Sequence, residues 1–557
     1  MKPANFFTLF ILTLTTLAFS QIQGDIHLAT ANAHFLGESA GDQAGHHVSI
    51  IGDINNDSFD DFIITAPGWD QSASSADNGA IYLFYGKGTG FQGTVDLNTA
   101  DAVFVGATGQ EAAHDAFGIG DVDNDGYQDF AIGLKKFHKV VDDSLRLKFG
   151  KVYIFFGSPT TYSGTIALET APASLEGTNE TAEAAHVKGV GDVNNDGYDD
   201  IIVGAGFHSQ VGPEAGKVYL FFGKDRSEWA QDAKMEEVAD ASFLAEAAYD
   251  WAGHRVSDVG DVDGDGLTDF IVGAHNYDST DLVNNGKVYL FLGKRGGWKP
   301  DTPLSDADAS WIGDSNKGIG WNVANPGDVD GDGLNDILIA DRKYQSFLIL
   351  GKNISQTSDQ LITAAADVIF SPSQNLFDDI GHDIHALGDI NDDSYDDFII
   401  GASKYSDYDL GDEAGKAFVF WGRQSWPAAL QLEDADAIFK AENAGDAAGF
   451  STSGNGDVNN DGRPDILISA LHNSDNGVDA GKVYLFLNGE TSLTLLQPNG
   501  GEMFSAGQNT IITWQQDSDV DAVTLELSTD NGDTWTSIAE DLADDGSYDW
   551  TVPNVSS

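Results

Sequence analysis

An acidic ten-residue pattern recurs seven times in this 557-residue chain and carries its most readable chemistry. In GDVDGDGLTD (260–269), Asp261, Asp263, Asp265 and Asp269 stand at loop positions 1, 3, 5 and 9, with Gly266 at position 6. Alternate residues of a tight loop can turn their oxygens toward one point, and calcium takes about six to eight oxygens. The glycine supplies the positive φ that lets such a loop wrap. The other copies place the same residue types at Asp53, Asn55, Asp57 and Asp61; Asp121, Asp123, Asp125 and Asp129; and Asp192, Asn194, Asp196 and Asp200. Further copies have Asp328, Asp330, Asp332 and Asp336; Asp389, Asn391, Asp393 and Asp397; and Asp457, Asn459, Asp461 and Asp465. With the backbone carbonyl at position 7 and water, each set completes an oxygen shell, so up to seven structural Ca²⁺ ions are expected. Magnesium suits such loops less, because it prefers to keep several waters. Asparagine at position 3 in four loops lowers the charge but keeps an oxygen. Ser58 and Ser394 replace the position-6 glycine, marking the first and sixth loops as the weaker ones. A filled shell offers no open coordination site, which makes the metal structural rather than catalytic.

The flanks repeat with the loops. Each loop is followed by an apolar run (DFIITA, DFAIGL, DFIVGA) and then by a second one (AIYLF, KVYIF, KVYLF). Continuous apolar runs of this length, rich in Val, Ile, Phe and Tyr, suit strands covered on both faces. A strand precedes each loop, and a further segment recurs at 33–38, 102–107, 173–178, 241–246, 309–314, 367–372 and 437–442. Four strands per repeat of 61–71 residues is the unit of a β-propeller. The expected fold is all-β: a seven-bladed propeller over residues 33–489. A fourth-type strand precedes the first loop and none follows Asn488, so the N-terminal strand should complete the last blade and remove the open edge.

Composition narrows the setting. The formal net charge is −61, which argues against nucleic acid or anionic lipid as partner. Seven divalent ions would offset less than a quarter of that charge, so a saline medium is expected as well. Residues 6–19 form an apolar run too short to span a bilayer, ending in Ala18-Phe19-Ser20. This reads as a signal peptide over residues 1–20, cut before Gln21, with 21–32 as an N-terminal segment ahead of the propeller. No other stretch is long and apolar enough to cross a membrane. There is no cysteine, so rigidity must come from core size or bound metal.

These repeats resemble FG-GAP repeats, the blades of integrin α-subunit propellers and of many bacterial surface proteins. The glycine of the leading pair is kept at Gly45, Gly253, Gly320, Gly381 and Gly449, and part of the GAP element at Ala66-Pro67, Gly204-Ala205, Gly273-Ala274 and Gly401-Ala402. Phenylalanine does not precede those leading glycines. The resemblance implies calcium loops on one face of the ring and ligand docking on the other. Residues 490–557, with QPNGGEMFSAGQNTIITWQ and GSYDWTVP, are similar to the β-sandwich modules of the Ser-Thr-rich, lipid-anchored cell-wall family. About five strands are legible there, short of the roughly seven of an immunoglobulin-like sandwich, so the module reads as incomplete, with an anchor expected beyond Ser557. Residues 528–535 resemble the Asp-box hairpin of sialidases, here read as a stable turn rather than a catalytic element.

The first strand runs into the calcium loop, so its start and the loop between strands two and three lie at the opposite face. Two sets of side chains gather there. The first is His46, His114, His186, His254, Trp321, His382 and Phe450, for which flat packing between blades is the plainest role. The second is Trp69, Phe137, His138, His208, His275, Tyr277, Lys343, Tyr344, Lys404, Tyr405 and His472, a composition suited to glycan or protein docking. No nucleophile–base pair, HExxH or phosphate-binding glycine loop is found. The leading expectation is a secreted or surface-attached adhesion or recognition protein binding an extracellular protein or glycan, with no nucleic acid partner. One alternative is a lyase or hydrolase acting on polysaccharide or glycolipid, which predicts a His, Tyr, Arg or carboxylate cluster in the central pocket that includes an inward His254. The other is a passive surface spacer. Fold class does not separate the three.

Overall fold

Strands apolar on both sides need cover on both faces, and a ring of radial sheets supplies it. In the computed structural model every residue of Asp61–Ala66, Asp129–Leu134, Asp269–Ala274, Asp397–Ala402 and Asp465–Ala470 is buried. The structure describes residues 11–15, 22–70, 78–107, 114–135, 137–142, 145–178, 183–314, 317–341, 343–351, 357–373, 379–406, 410–489, 493–497, 504, 507–516, 523–528, 536–542 and 546–553.

Residues 22–488 form one unit of seven five-stranded sheets, a seven-bladed propeller. The blade read first in the sequence is typical. Arg255–Gly260, Asp269–Ala274, Lys287–Phe291 and Ala309–Ile312 pair antiparallel in that order. The seven inner strands are Val48–Gly52, Asp115–Gly120, His186–Gly189, Arg255–Gly260, Asn322–Ala324, Ile380–Gly388 and Ala448–Gly456. Each lies against the next, and the seventh lies against the first. At that seam the N–H groups of Val48 and Ile50 donate to the hydroxyls of Ser451 and Ser453 at 3.2 and 3.0 Å.

The expected strand exchange is present: Ala33–Leu36 pairs antiparallel with Lys482–Phe486, Ala33 opposite Leu485. The chain start goes further than expected, because Gly24–His27 joins the sixth blade, parallel to Ala437–Lys440. The ring thus begins before Ala33, the expected start of the propeller. The reading of four strands per blade also falls one short. A short parallel edge strand, such as Gly93–Asp96 beside Ala33–Leu36, completes each sheet from the following repeat. One helical turn follows it and drops a single apolar side chain into the core: Leu28, Leu97, Leu168, Met235, Leu304, Ile362 and Leu432 are all fully buried. Each stands five or six residues before a fourth strand, a recurrence legible in the sequence but carried by too few residues to read as an element.

The two glycine elements meet across blades. A Cβ on Gly204 would lie 1.9 Å from the carbonyl oxygen of Gly253, and one on Gly273 would lie 2.3 Å from that of Gly320. Gly253 and Gly320 themselves have φ of +79° and +78°. Backbone contact this close excludes any side chain.

Strain appears where the sequence substitutes position 6. Ser58 and Ser394 adopt φ of 75° and 73°, the conformation Gly266 holds at 84°. A left-handed L-residue costs about 1–2 kcal/mol, of which glycine's extra unfolded freedom takes back about 0.4–1. Ser58→Gly is therefore expected to stabilise the protein by about 0.5–1 kcal/mol, read as a higher denaturation midpoint. A lower midpoint would refute the strain.

Residues 1–21 and 489–557 form the second unit. Its two three-stranded sheets order as Ile11–Thr15, Val523–Ser528, Thr536–Leu542 and as Leu493–Gln497, Asn509–Gln516, Ser547–Thr551. Ile512, Trp514, Leu525, Leu527 and Trp550 from both sheets share one core. The apolar run expected in a leader thus supplies a strand, Ile11 pairing with Ser528. The cleavage point before Gln21 and Asp-box residues 529–535 lie outside the described residues. No helix among the described residues is long and apolar enough to cross a membrane.

Candidate functional site

The seven acidic loops share one local architecture. The position-1 carboxylate turns the chain: in the fourth blade Asp261 accepts N–H groups from Gly264, Asp265 and Gly266 at 2.7, 3.1 and 2.8 Å. Position 5 repeats the move, Asp265 accepting from Leu267 at 2.9 Å. Position 4 is left-handed in every loop: Asn56, Asn124, Asn195, Gly264, Gly331, Asp392 and Asn460. Only glycine, asparagine or aspartate adopts that conformation readily, which explains their presence at a position the metal pattern leaves unassigned.

Position 9 carries more than a metal-ligand reading assigns. Asp269 is fully buried, and its two oxygens accept N–H groups from Val262 at 3.0 Å and Gly293 at 2.7 Å. Asp61, Asp129, Asp200, Asp336, Asp397 and Asp465 do the same toward position 2 of their loop and the end of the third strand. This residue staples three strands of its blade.

Position 8 joins neighbouring blades. Asp60, Asp199 and Asp396 each accept the N–H of position 1 in the preceding loop, at 2.8 Å from Asp457, Asp121 and Asp328. The first of these crosses the ring seam. The loops are therefore fastened to one another as well as folded on themselves, a role invisible in the spacing because the partner lies in the preceding blade.

The donor set suits a hard cation. Three loops bring three carboxylates within 4.8 Å of one another: Asp121, Asp123 and Asp129; Asp261, Asp263 and Asp265; Asp328, Asp330 and Asp332. Two position-3 acceptors, Oδ1 of Asp123 and of Asn194, are buried with no hydrogen-bond partner. Burial, with the other loop carboxylates adding to it, pushes Asp61, Asp129, Asp200, Asp336 and Asp397 up to about 8 and Asp269 to about 7. Oxygen-only ligands, crowded and partly orphaned, are the set that calcium takes. The second loop differs from the rest: Arg226 donates to Asp123 at 2.5 Å and to Asp125 at 2.8 Å, leaving Asp123 Oδ1 open.

At the opposite face, Tyr277, Tyr344 and Tyr405 are partly buried, each ring capped by an ammonium group, of Lys287, Lys317 and Lys416, at 5.0, 5.1 and 4.6 Å. Tyr405 also donates to Glu433 at 2.8 Å. Trp69 is partly buried, His472 is exposed beside Asp479, and His138 lies on the strand His138–Asp142. His208 and His275 do not belong to a docking surface. His208 is 3% exposed and bonds Glu236 at 3.0 Å, while His275 is fully buried, edge-on to Trp251, His254 and Trp321.

The strand-1 ring packs as flat plates between blades. His46 meets His114 at 4.8 Å and Phe450 at 5.4 Å, His382 meets Phe450 at 4.2 Å, and His254 stacks on Trp321 at 5.5 Å. Burial pulls His46 down to about 3 and His254 well below its ordinary value. Among the described residues, no three of these histidines converge on a metal-binding point. His254 does not reach the central pocket; His186 does, beside His47 and His385, a cluster the spacing did not single out.

Residues 44–84, 189–221, 255–291 and 450–486 match the FG-GAP repeat. Over 256 residues the chain is 27% identical to a phosphatidylinositol-glycan-specific phospholipase D of Dictyostelium discoideum, covering 43% of this chain and 26% of that protein. The Rattus norvegicus protein of the same name is 31% identical over 150 residues, 27% of this chain and 17% of its own. Integrin alpha-5 of Xenopus laevis is 26% identical over 249 residues, 43% of this chain and 20% of its own. The matched part thus spans about a quarter or less of each relative.

Proposed function

We propose that this chain is an extracellular, calcium-stabilised FG-GAP propeller that recognises a protein or glycan through the face opposite its acidic loops. The seven-fold loop set carries the reading: its oxygens, its two orphaned acceptors and its links between blades make calcium a fastener of the ring. Positions 1, 3, 5 and 9 with the position-7 carbonyl would hold each ion, which would supply charge neutralisation and rigidity. With one face committed to fastening, Trp69, Tyr277, Tyr344 and Tyr405 on the other supply the flat, partly exposed aromatic area that stacking on a sugar or protein requires. The similarity to integrin alpha chains supports an adhesive role outside the cell. The C-terminal sandwich suits a spacer near a cell surface.

The test is a glycan and matrix-protein binding screen in calcium. A hit whose affinity falls at least tenfold in Tyr277→Ala, Tyr344→Ala or Tyr405→Ala supports the reading. A hit that all three variants retain moves the site elsewhere, and a chain that binds nothing is a spacer.

The phospholipase D relatives and the histidine-bearing central pocket favour one second reading, a hydrolytic or eliminating enzyme. His186 Nδ1 lies 3.4 Å from Asp115 with its Nε2 unpartnered, the geometry of a general base. Product release from polysaccharide or glycolipid, abolished in His186→Gln, would establish it.

A further inference from the structure

The propeller axis holds a pocket of about 250 Å³ lined by residues from all seven inner strands. Its wall is unevenly satisfied. Every carboxylate there has donors. Asp115 takes Lys135 at 2.9 Å and His186 at 3.4 Å, Asp258 takes Asn325 Nδ2 at 2.8 Å, and Asp383 takes the N–H of Thr452 at 2.7 Å. The cations are not matched in return. Among the described residues no carboxylate lies within 4.0 Å of Lys188 or Arg255. Lys188 instead rests its ammonium 3.7 Å over the ring of Phe117, and Arg255 donates to the carbonyl of His254 at 3.3 Å. His186, 5% exposed, lines the same pocket with Nε2 unpartnered, as does His47 with Nδ1 unpartnered.

Lys188 and Arg255 are half-buried, and a cation drawn partly out of water with no carboxylate in contact carries a desolvation cost, to which an unpaired buried ring nitrogen adds. Burial accordingly lowers the Lys188 pKa, and Arg255 acts in the same direction, while Asp258, Asp383 and Asp115 oppose it. The neighbouring histidines His47, His186 and His385 are held neutral by the same burial. A metal does not answer this arrangement: among the described residues no three ligand atoms converge there. We propose that the axial pocket binds a small molecule through one oxyanionic group, a carboxylate or sulfonate, held by Lys188 and Arg255. The volume admits a body of monosaccharide size behind that group, with Phe117 as its apolar floor.

The probe pair is glucuronate and glucose, the same ring with and without the carboxylate, titrated calorimetrically into the full chain at constant ionic strength with calcium present. Methanesulfonate and glycine serve as a bare anion and a zwitterion. Saturable binding of glucuronate at least tenfold tighter than glucose, weakened at least tenfold in Lys188→Met and in Arg255→Gln but not in the surface control Lys294→Met, is expected. Methanesulfonate should compete with glucuronate. The melting temperature of ligand-free Lys188→Met should equal or exceed that of the parent, because the substitution removes a half-buried charge with no carboxylate in contact and keeps the stem over Phe117. Equal affinity for glucose and glucuronate, preference for glycine, or binding unchanged in both variants would each overturn the proposal. A ligand-free Lys188→Met that melts lower would also overturn it, by showing that the protein already satisfies that ammonium. If Lys188→Met fails to fold, Arg255→Gln and the probe pair still decide.

Discussion

Exhaustive chelation is expected to lower the melting temperature of the propeller by on the order of 10 °C or more, and added calcium to restore it. An ion present at about a hundred times its dissociation constant contributes about 2.7 kcal/mol per site. Even three or four occupied loops would therefore supply on the order of 10 kcal/mol. In a protein of this size each kcal/mol moves the midpoint by roughly 1–2 °C, below the shift typical of smaller domains. Two features make the effect large. Without a cation, Asp261, Asp263 and Asp265 crowd three carboxylates within 4.8 Å, as do the groups in the second and fifth loops. The loops also carry the seam between blades, so loosening one end of the ring loosens Asp60 from Asp457. The second loop should respond least, because Arg226 already sits on Asp123 and Asp125. A scan unchanged by EDTA would sink the calcium reading, and full restoration by magnesium would reassign the ion.

Stability is also expected to fall as the pH drops from 7 to 5 with calcium kept saturating. Burial lowers the pKa of His46 to about 3 and of His186 to about 4, and brings down His47, His254, His382 and His385 as well. Each such histidine takes up a proton on unfolding once the pH is below about 6.5 and stays neutral when folded. The stability these groups contribute is therefore present above the unfolded value and is lost as pH falls toward the folded one. At pH 5 the loss is about 2 kcal/mol for His186 alone, at about 1.4 kcal/mol per pH unit. The sum over the ring makes this a large effect, measured as the urea midpoint at pH 7 against pH 5. His46→Phe, which copies the residue that Phe450 supplies at the same ring position, should remove a share of the slope. Equal midpoints at the two pH values would show that these rings are hydrated and titrate normally.

Much of this was legible in the residues. The side-chain oxygens at positions 1, 3, 5 and 9 are local to one loop, so a ten-residue pattern discloses them. Repetition at 61–71 residues turned that pattern into a propeller, because a both-faces-apolar strand set needs neighbours of its own kind. The missing fourth strand after Asn488 disclosed the closure by Ala33–Leu36. What escaped was either weak or distant. The edge strands are two to four residues long, with Thr302–Pro303 and Gln360–Leu361 at the short end, too brief for any alternation to stand out. His208 and His275 looked like loop-tip groups, yet the loops that carry them fold inward onto Glu236 and between Trp251, His254 and Trp321.

Composition and spacing thus settled which element each residue belongs to, where the oxygens of the acidic loops gather, and how many blades the chain must build. Those properties depend on neighbours within one repeat, where covalent geometry limits the outcomes. Assembly of the ring decided the rest: that position 8 latches one blade to the one before, that position 9 staples three strands, and that Lys188 and Arg255 share a pocket with no carboxylate in contact among the described residues. The first and third of these join residues a blade or more apart, the second joins strand ends that meet only once the blade folds, and no local pattern records which side chains will meet on the axis once the ring closes.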